Sequence, residues 1–165
     1  MEPRCEPPSL DATSRLLREE VQGRDGLDFL RAMLAGELPI SPLLDALGIA
    51  LVSAERGGAG VAATPLPIHF NAKGTGHGGF ISTLLDAALG FAVESMSDAG
   101  TMWTTTDLQV RFLRPMTASS GLVTATGTVG HYGRATATAS GEVRDAGGRI
   151  LATATAGLFA LRNGA

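Results

Sequence analysis

Residues 71–95 join a glycine-dense loop to a proline-free stretch long enough for four or five helical turns, and this junction constrains the fold more than any other segment. The loop holds Gly74, Gly76, Gly78 and Gly79. Steps of three and four along the expected helix place Gly79, Ser82 or Thr83, Asp86 and Gly90 on one face. Ile81, Leu84, Leu85, Ala88 and Phe91 form the opposite surface, as an element buried against a sheet requires. Most aspartates in helices simply face water. Here the face lacks the lysines and glutamates of a solvated surface, and it carries glycines that cost about 1 kcal/mol each relative to alanine. Asp86 therefore reads as a carboxylate in the wall of a groove.

The helix start adds a second chemical element. Gly78 and Gly79 offer backbone N–H groups that no side chain shields, and the unpaired amides of a first turn stabilise negative charge. A carbonyl oxygen placed there is polarised, and it is held more strongly as it becomes an oxyanion. His77 and Asn71 bracket the same turn, either as donors to a ligand or as groups that fix the loop.

Asn71, Gly74, His77, Gly78 and Gly79, followed by Leu84-Leu85-Asp86 and Ala88, resemble the signature of the hotdog-fold acyl-CoA thioesterases. The similar branch contains the phenylacetate-degradation thioesterase and its 4-hydroxybenzoyl-CoA relatives. The run from Thr105 through Arg111 and Arg114 to Pro115, the spacing of the late strands and Gly133-Arg134 extend the resemblance over positions 36–161. It implies that Asp86 is the catalytic carboxylate, either attacking the thioester or activating water, and that the Gly78 N–H polarises the carbonyl. It also sets Asn71 and His77 beside the reacting group, with Gly79, Thr83 and Gly90 as substrate-facing neighbours. Some relatives carry a threonine one turn after the carboxylate; Gly90 stands there, so no hydroxyl is expected from that turn.

A chain of 165 residues that is 44% hydrophobic suits one globular domain with a sizeable core. Its single cysteine, Cys5, excludes an internal disulfide, and histidines at 69, 77 and 131 show no metal-ligand spacing, so neither metal nor cofactor is expected beyond the coenzyme A of the substrate. The formal charge of -3 offers no bulk attraction to nucleic acid. No signal-like or bilayer-spanning run occurs, and a soluble cytoplasmic protein is the expectation.

In chain order, a polar tail and short amphipathic helices occupy residues 1–35, with Ser14 expected to cap the first helix and Asp25 or Asp28 the second. Residues 36–161 form the main domain and 162–165 a tail. Strands are expected at 49–56 and 60–68, parted by Gly57-Gly58, with Pro65 and Pro67 forcing the end of the second off the ladder. Four more follow the helix at 102–112, 119–129, 135–144 and 150–161, with turns at 130–133 and 145–148. Alternating alanine and threonine in the last two strands puts small residues on one face, where a helix can approach closely. The fold class is α+β, a hotdog fold whose long central helix is wrapped by an antiparallel sheet of five to six strands.

One helix cannot cover such a sheet alone, and the resemblance implies a dimer or dimer of dimers with active sites between subunits. Arg111, Arg114 and Arg134 are candidate contacts for the phosphates of coenzyme A. The expected activity is hydrolysis of an aromatic or medium-chain acyl-CoA, with the carbonyl at Gly78 and its carbon near Asp86. A hotdog hydratase or dehydratase and a non-catalytic acyl-CoA-binding module are the alternatives.

Overall fold

The computed structural model describes residues 11–162, so Cys5 and the end of the C-terminal tail lie outside the described residues. Helix α1 (Ala12–Gly23) is capped by Asp11, whose carboxylate accepts the Ser14 N–H at 2.7 Å. Ser14 thus supplies the donor rather than the cap, because an aspartate three residues upstream reaches the same amide. Helix α2 (Gly26–Leu34) is capped by Asp25 in the same way, through the Asp28 N–H at 2.9 Å. Its buried face, Phe29, Leu30 and Ala32, joins Val21 and Leu38 in a small cluster against Leu51 and Ala54. A short helix α3 (Pro42–Ala46) precedes the sheet.

Strands β1 (Ala50–Glu55) and β2 (Gly58–Ala63) form a hairpin whose turn uses Gly57 at φ 82°. The second strand is shorter than expected. It begins at Gly58 and stops before Pro65 and Pro67, where the chain leaves the ladder for a 3-10 turn at Pro67–His69. Then come helix α4 (Gly78–Glu94) and strands β3 (Thr101–Phe112), β4 (Val123–Tyr132), β5 (Thr136–Arg144) and β6 (Ile150–Arg162). Residues 119 and 120, expected as strand, lie in a 3-10 turn at Ala118–Ser120 instead. Residues 130–132, expected as a turn, continue β4 past an irregularity between Val129 and His131. The hairpin at 145–148 is present, with the buried Asp145 carboxylate accepting the Gly147 and Arg149 N–H groups.

All pairings are antiparallel in the order β1-β2-β4-β5-β6-β3, and α4 lies across one face of the sheet, the hotdog arrangement. Phe80, Ile81, Leu84, Leu85, Ala88, Leu89, Ala92 and Val93 are its buried residues. Each large one contributes about 1.5–3 kcal/mol by leaving water. They meet a sheet face of small residues, among them Ala125, Ala137, Ala139, Ala152, Ala154 and Ala156. The approach is closest at Gly127 on β4, where a Cβ would collide with the Ala88 carbonyl. Phe91, expected on this buried face, is only half-buried and turns toward β3 and the N-terminal helices.

Because a backbone carbonyl cannot swing aside as a side chain can, Gly127→Ala is expected to destabilise the fold by about 1–3 kcal/mol or more. Urea denaturation measures this; an unchanged midpoint would contradict the close approach.

Candidate active site

The loop that delivers α4 is held by its own side chains. Asn71 Oδ1 accepts the N–H groups of Lys73 at 2.8 Å and Thr75 at 3.4 Å, while its Nδ2 donates to Thr75 Oγ1 at 3.0 Å. Asn71 therefore fixes the loop. His77 caps the helix, its Nδ1 accepting the Gly79 N–H at 3.0 Å. Both residues thus make bonds that fix the loop and the helix start. The Gly78 N–H has no hydrogen-bond partner among the described residues and stands at the exposed helix start, beneath the Phe112 ring.

A buried histidine anchors this loop from below. His69 is 1% exposed, and its ring stacks on Phe80 at a centroid distance of 3.8 Å with planes 8° apart. Its Nδ1 accepts the Leu66 N–H at 3.0 Å and its carbonyl accepts the His77 N–H at 2.7 Å.

Asp86 lies on the outward stripe of α4 and is exposed, with Thr105 Oγ1 donating to its Oδ1 at 2.8 Å. Thr105 was not legible as a site residue because a bulge sets its direction. The β3–β6 register shifts between Thr105 and Asp107, so the half-buried side changes from Trp103 and Thr105 to Leu108 and Val110. Thr105 thus brings a hydroxyl to Asp86 from the sheet, whereas Gly90 offers none. Thr83, Asp86, Gly90 and Phe91 line one wall of a cavity of about 1090 Å³, closed by Trp103, Met102 and Leu161 and by Leu17 and Phe29 of the N-terminal helices.

Gly78 opens elsewhere, into a groove of about 400 Å³ with Phe112, Arg114 and Met116. It precedes Asp86 by eight residues of helix, about 12 Å of axial rise. One chain therefore does not bring the Gly78 amide and the Asp86 carboxylate onto one thioester. The arginines also separate. Arg114 joins the Gly78 groove, its Nη1 donating to the Ile150 carbonyl at 2.8 Å. Arg111 lies on the outer sheet face beside Gln109 and Glu142, and Arg134 is exposed just before β5. Gly79 is exposed at the helix start, and Thr83 Oγ1 donates back to its carbonyl at 2.9 Å.

A sequence profile described as the thioesterase superfamily matches residues 73–152, from the loop through the start of β6. A structure of the phenylacetic acid degradation protein PaaI from Thermus thermophilus is 30% identical, with a TM-score of 0.66 over 73% of this chain and 100% of that one. The chain belongs to the thioesterase superfamily. The Escherichia coli PaaI protein of the phenylacetic acid degradation operon is 26% identical, with a TM-score of 0.71 over 80% of this chain and 93% of that one. A phenylacetic acid degradation-related protein from Ralstonia eutropha JMP134 is 26% identical, with a TM-score of 0.72 over 79% of this chain and 98% of that one. Comparison with curated proteins gives no match. Membership places this PaaI-like thioesterase-superfamily chain with proteins of thioester hydrolysis in general. Among its described residues no helix is long and apolar enough to cross a membrane.

Burial holds the His69 pKa below its ordinary 6.5. The unfolded chain therefore binds the proton more readily, and the stability that His69 supports is present above about pH 6.5 and declines as pH falls toward the lower folded-state value. Urea midpoints taken between about pH 7.5 and pH 5.5 should fall more steeply for the wild type than for His69→Gln. Parallel pH dependences would contradict this.

Proposed function

We propose that the protein hydrolyses an acyl-CoA thioester to the free acid and coenzyme A, with Asp86 as nucleophile or general base. The observation that carries this reading is the Asp86 carboxylate, held by Thr105 Oγ1 at the mouth of a mostly apolar cavity. A carboxylate so placed serves either role. As nucleophile it adds to the thioester carbon, expels the thiolate and forms an anhydride that water opens. As base it takes a proton from water as that water adds. In both, negative charge grows on the carbonyl oxygen, where an unpaired amide such as that of Gly78 is most effective.

The separation of Gly78 from Asp86 along α4 supports a site built from two copies, with the amide from one chain and the carboxylate from its partner. β3 ends the sheet as a 12-residue edge strand, and at its end Phe112 and the following Leu113 are 56% and 47% exposed. Such an edge offers a surface for pairing with a second copy. The acyl group then occupies the cavity under the N-terminal helices, and the pantetheine arm leaves past Phe112 toward Arg114.

Asp86→Asn is expected to keep the fold and lower hydrolysis at least about 100-fold across a panel of acyl-CoA substrates. Near-wild-type turnover in a folded variant would sink the assignment. Arg114→Ala is expected to raise KM for acyl-CoA about 10-fold with kcat little changed, since phosphates distant from the breaking bond contribute mainly uniform binding. The matching acyl-pantetheine should be almost unaffected. Equal losses on both substrates would assign Arg114 to holding the Ile150 carbonyl instead.

A further inference from the structure

The cavity that begins at Asp86 contains a second carboxyl for which thioester cleavage has no use. Glu94 stands two turns beyond Asp86 on the same stripe of α4, because positions 86, 90 and 94 are four apart. Position 90 between them is glycine, and a Cβ built there meets nothing within 4 Å, so the path from one carboxyl to the other is open. Eight residues of helix rise about 12 Å. That span exceeds a single aromatic ring and suits an extended chain.

The apolar part of the wall along this path is formed by Leu17, Phe29, Phe91 and Met102, with Ser14 and Arg18 of α1 also lining the cavity. Its far end is polar. Ser97 Oγ lies 2.5 Å from the Glu94 carbonyl and 3.0 Å from Glu94 Oε1, so one hydroxyl proton is shared between the two, and the nearby Trp103 backbone N–H also favours the charged carboxyl. Contacts this few leave at least about half of the roughly four acceptor sites of a carboxylate unused. Burial pushes this carboxyl up to about 7 despite both donors, so near neutral pH it exists as an acceptor and also in a protonated form that can donate. The wall around it is rigidly placed, because the Gly26 N–H at the start of α2 donates to the Ser97 carbonyl at 2.9 Å and a Cβ on Gly26 would collide with the Glu94 carbonyl.

We propose that Glu94 is a specificity-determining residue of the acyl pocket and selects an extended, medium-length acyl chain with a hydroxyl group at its far end. The thioester hydrolase reading supplies only the orientation, with the carbonyl at Asp86. An apolar chain end would shut the spare acceptor sites away from water without replacing it. A terminal hydroxyl donates to them, and it can also accept from the protonated form.

The test is calorimetric titration of non-hydrolysable thioether analogues of octanoyl-CoA and ω-hydroxyoctanoyl-CoA into the wild type, Glu94→Leu and Glu94→Gln. The wild type is expected to bind the hydroxylated analogue at least about 10-fold more tightly than the plain one. Glu94→Leu should reverse that order, and Glu94→Gln, which keeps an acceptor oxygen of similar reach, should retain a preference for the hydroxyl. Equal affinities of the wild type for the two analogues overturn the proposal, and so does a preference that survives in Glu94→Leu. Failure of both analogues to bind the wild type overturns the assignment of the cavity to the acyl chain. Should Glu94→Leu fail to fold, the wild-type and Glu94→Gln preferences decide. Because the analogues are not cleaved, the result is separate from catalysis: a wild type that shows the preference yet hydrolyses neither parent thioester refutes the hydrolase reading alone.

Discussion

The close approach of α4 to the sheet is the constraint on which the rest of the structure depends. Gly127 lets the Ala88 carbonyl lie against β4, and the alanines of β5 and β6 keep the remaining inner face low enough for Leu84, Leu85 and Leu89 to fill it. Once the helix axis is fixed in this way, its outward stripe faces β3, and Asp86 comes within hydrogen-bond reach of Thr105. The C-terminal end is fixed as well. Gly26 brings α2 against the Glu94 carbonyl, so the roof of the cavity is referenced to the same helix.

The helix thereby presents different chemistry at its two ends. Its start offers an unpaired amide in a small groove with Arg114, and its middle offers a carboxylate at a large apolar cavity. Neither half suffices for acyl transfer. An oxyanion donor stabilises charge only where the reacting carbonyl is, and about 12 Å of helix lies between donor and carboxylate. The proposed pairing of two copies about a twofold axis would resolve this, because each chain would then supply one half to each of two equivalent sites.

Periodicity carried most of the fold. The small face of α4, the six strands, the proline-limited end of β2 and the 145–148 hairpin all follow from spacing and turn chemistry, which act locally. The misplaced details depend on tertiary context. Asp11 rather than Ser14 caps α1, residues 130–132 continue a strand past an irregular register, and Phe91 turns to the cavity once α1 and α2 cover it. In the candidate site, Asp86 and the Gly78 amide were legible because a carboxylate among small residues and a glycine-led helix start are local signals. Thr105 was not, since three consecutive threonines give no sign of which one faces inward until the bulge in β3 is placed. Glu94 was hidden for a similar reason: only the packing of α2 over the end of α4 turns that glutamate from a solvated residue into a cavity wall.

The central claim, a site shared between two copies, is tested most directly by mixing two inactive chains. Asp86→Asn removes the carboxylate. Gly78→Pro removes the donor N–H at the first helical position, where proline is tolerated. After subunit exchange, half of randomly formed dimers pair the two variants, and each such dimer holds one intact site and one doubly defective site. The account predicts recovery to about one quarter of wild-type hydrolysis from two chains that are each inactive alone. Exchange without any recovered activity would contradict it, because the amide and the carboxylate would then have to act within a single chain.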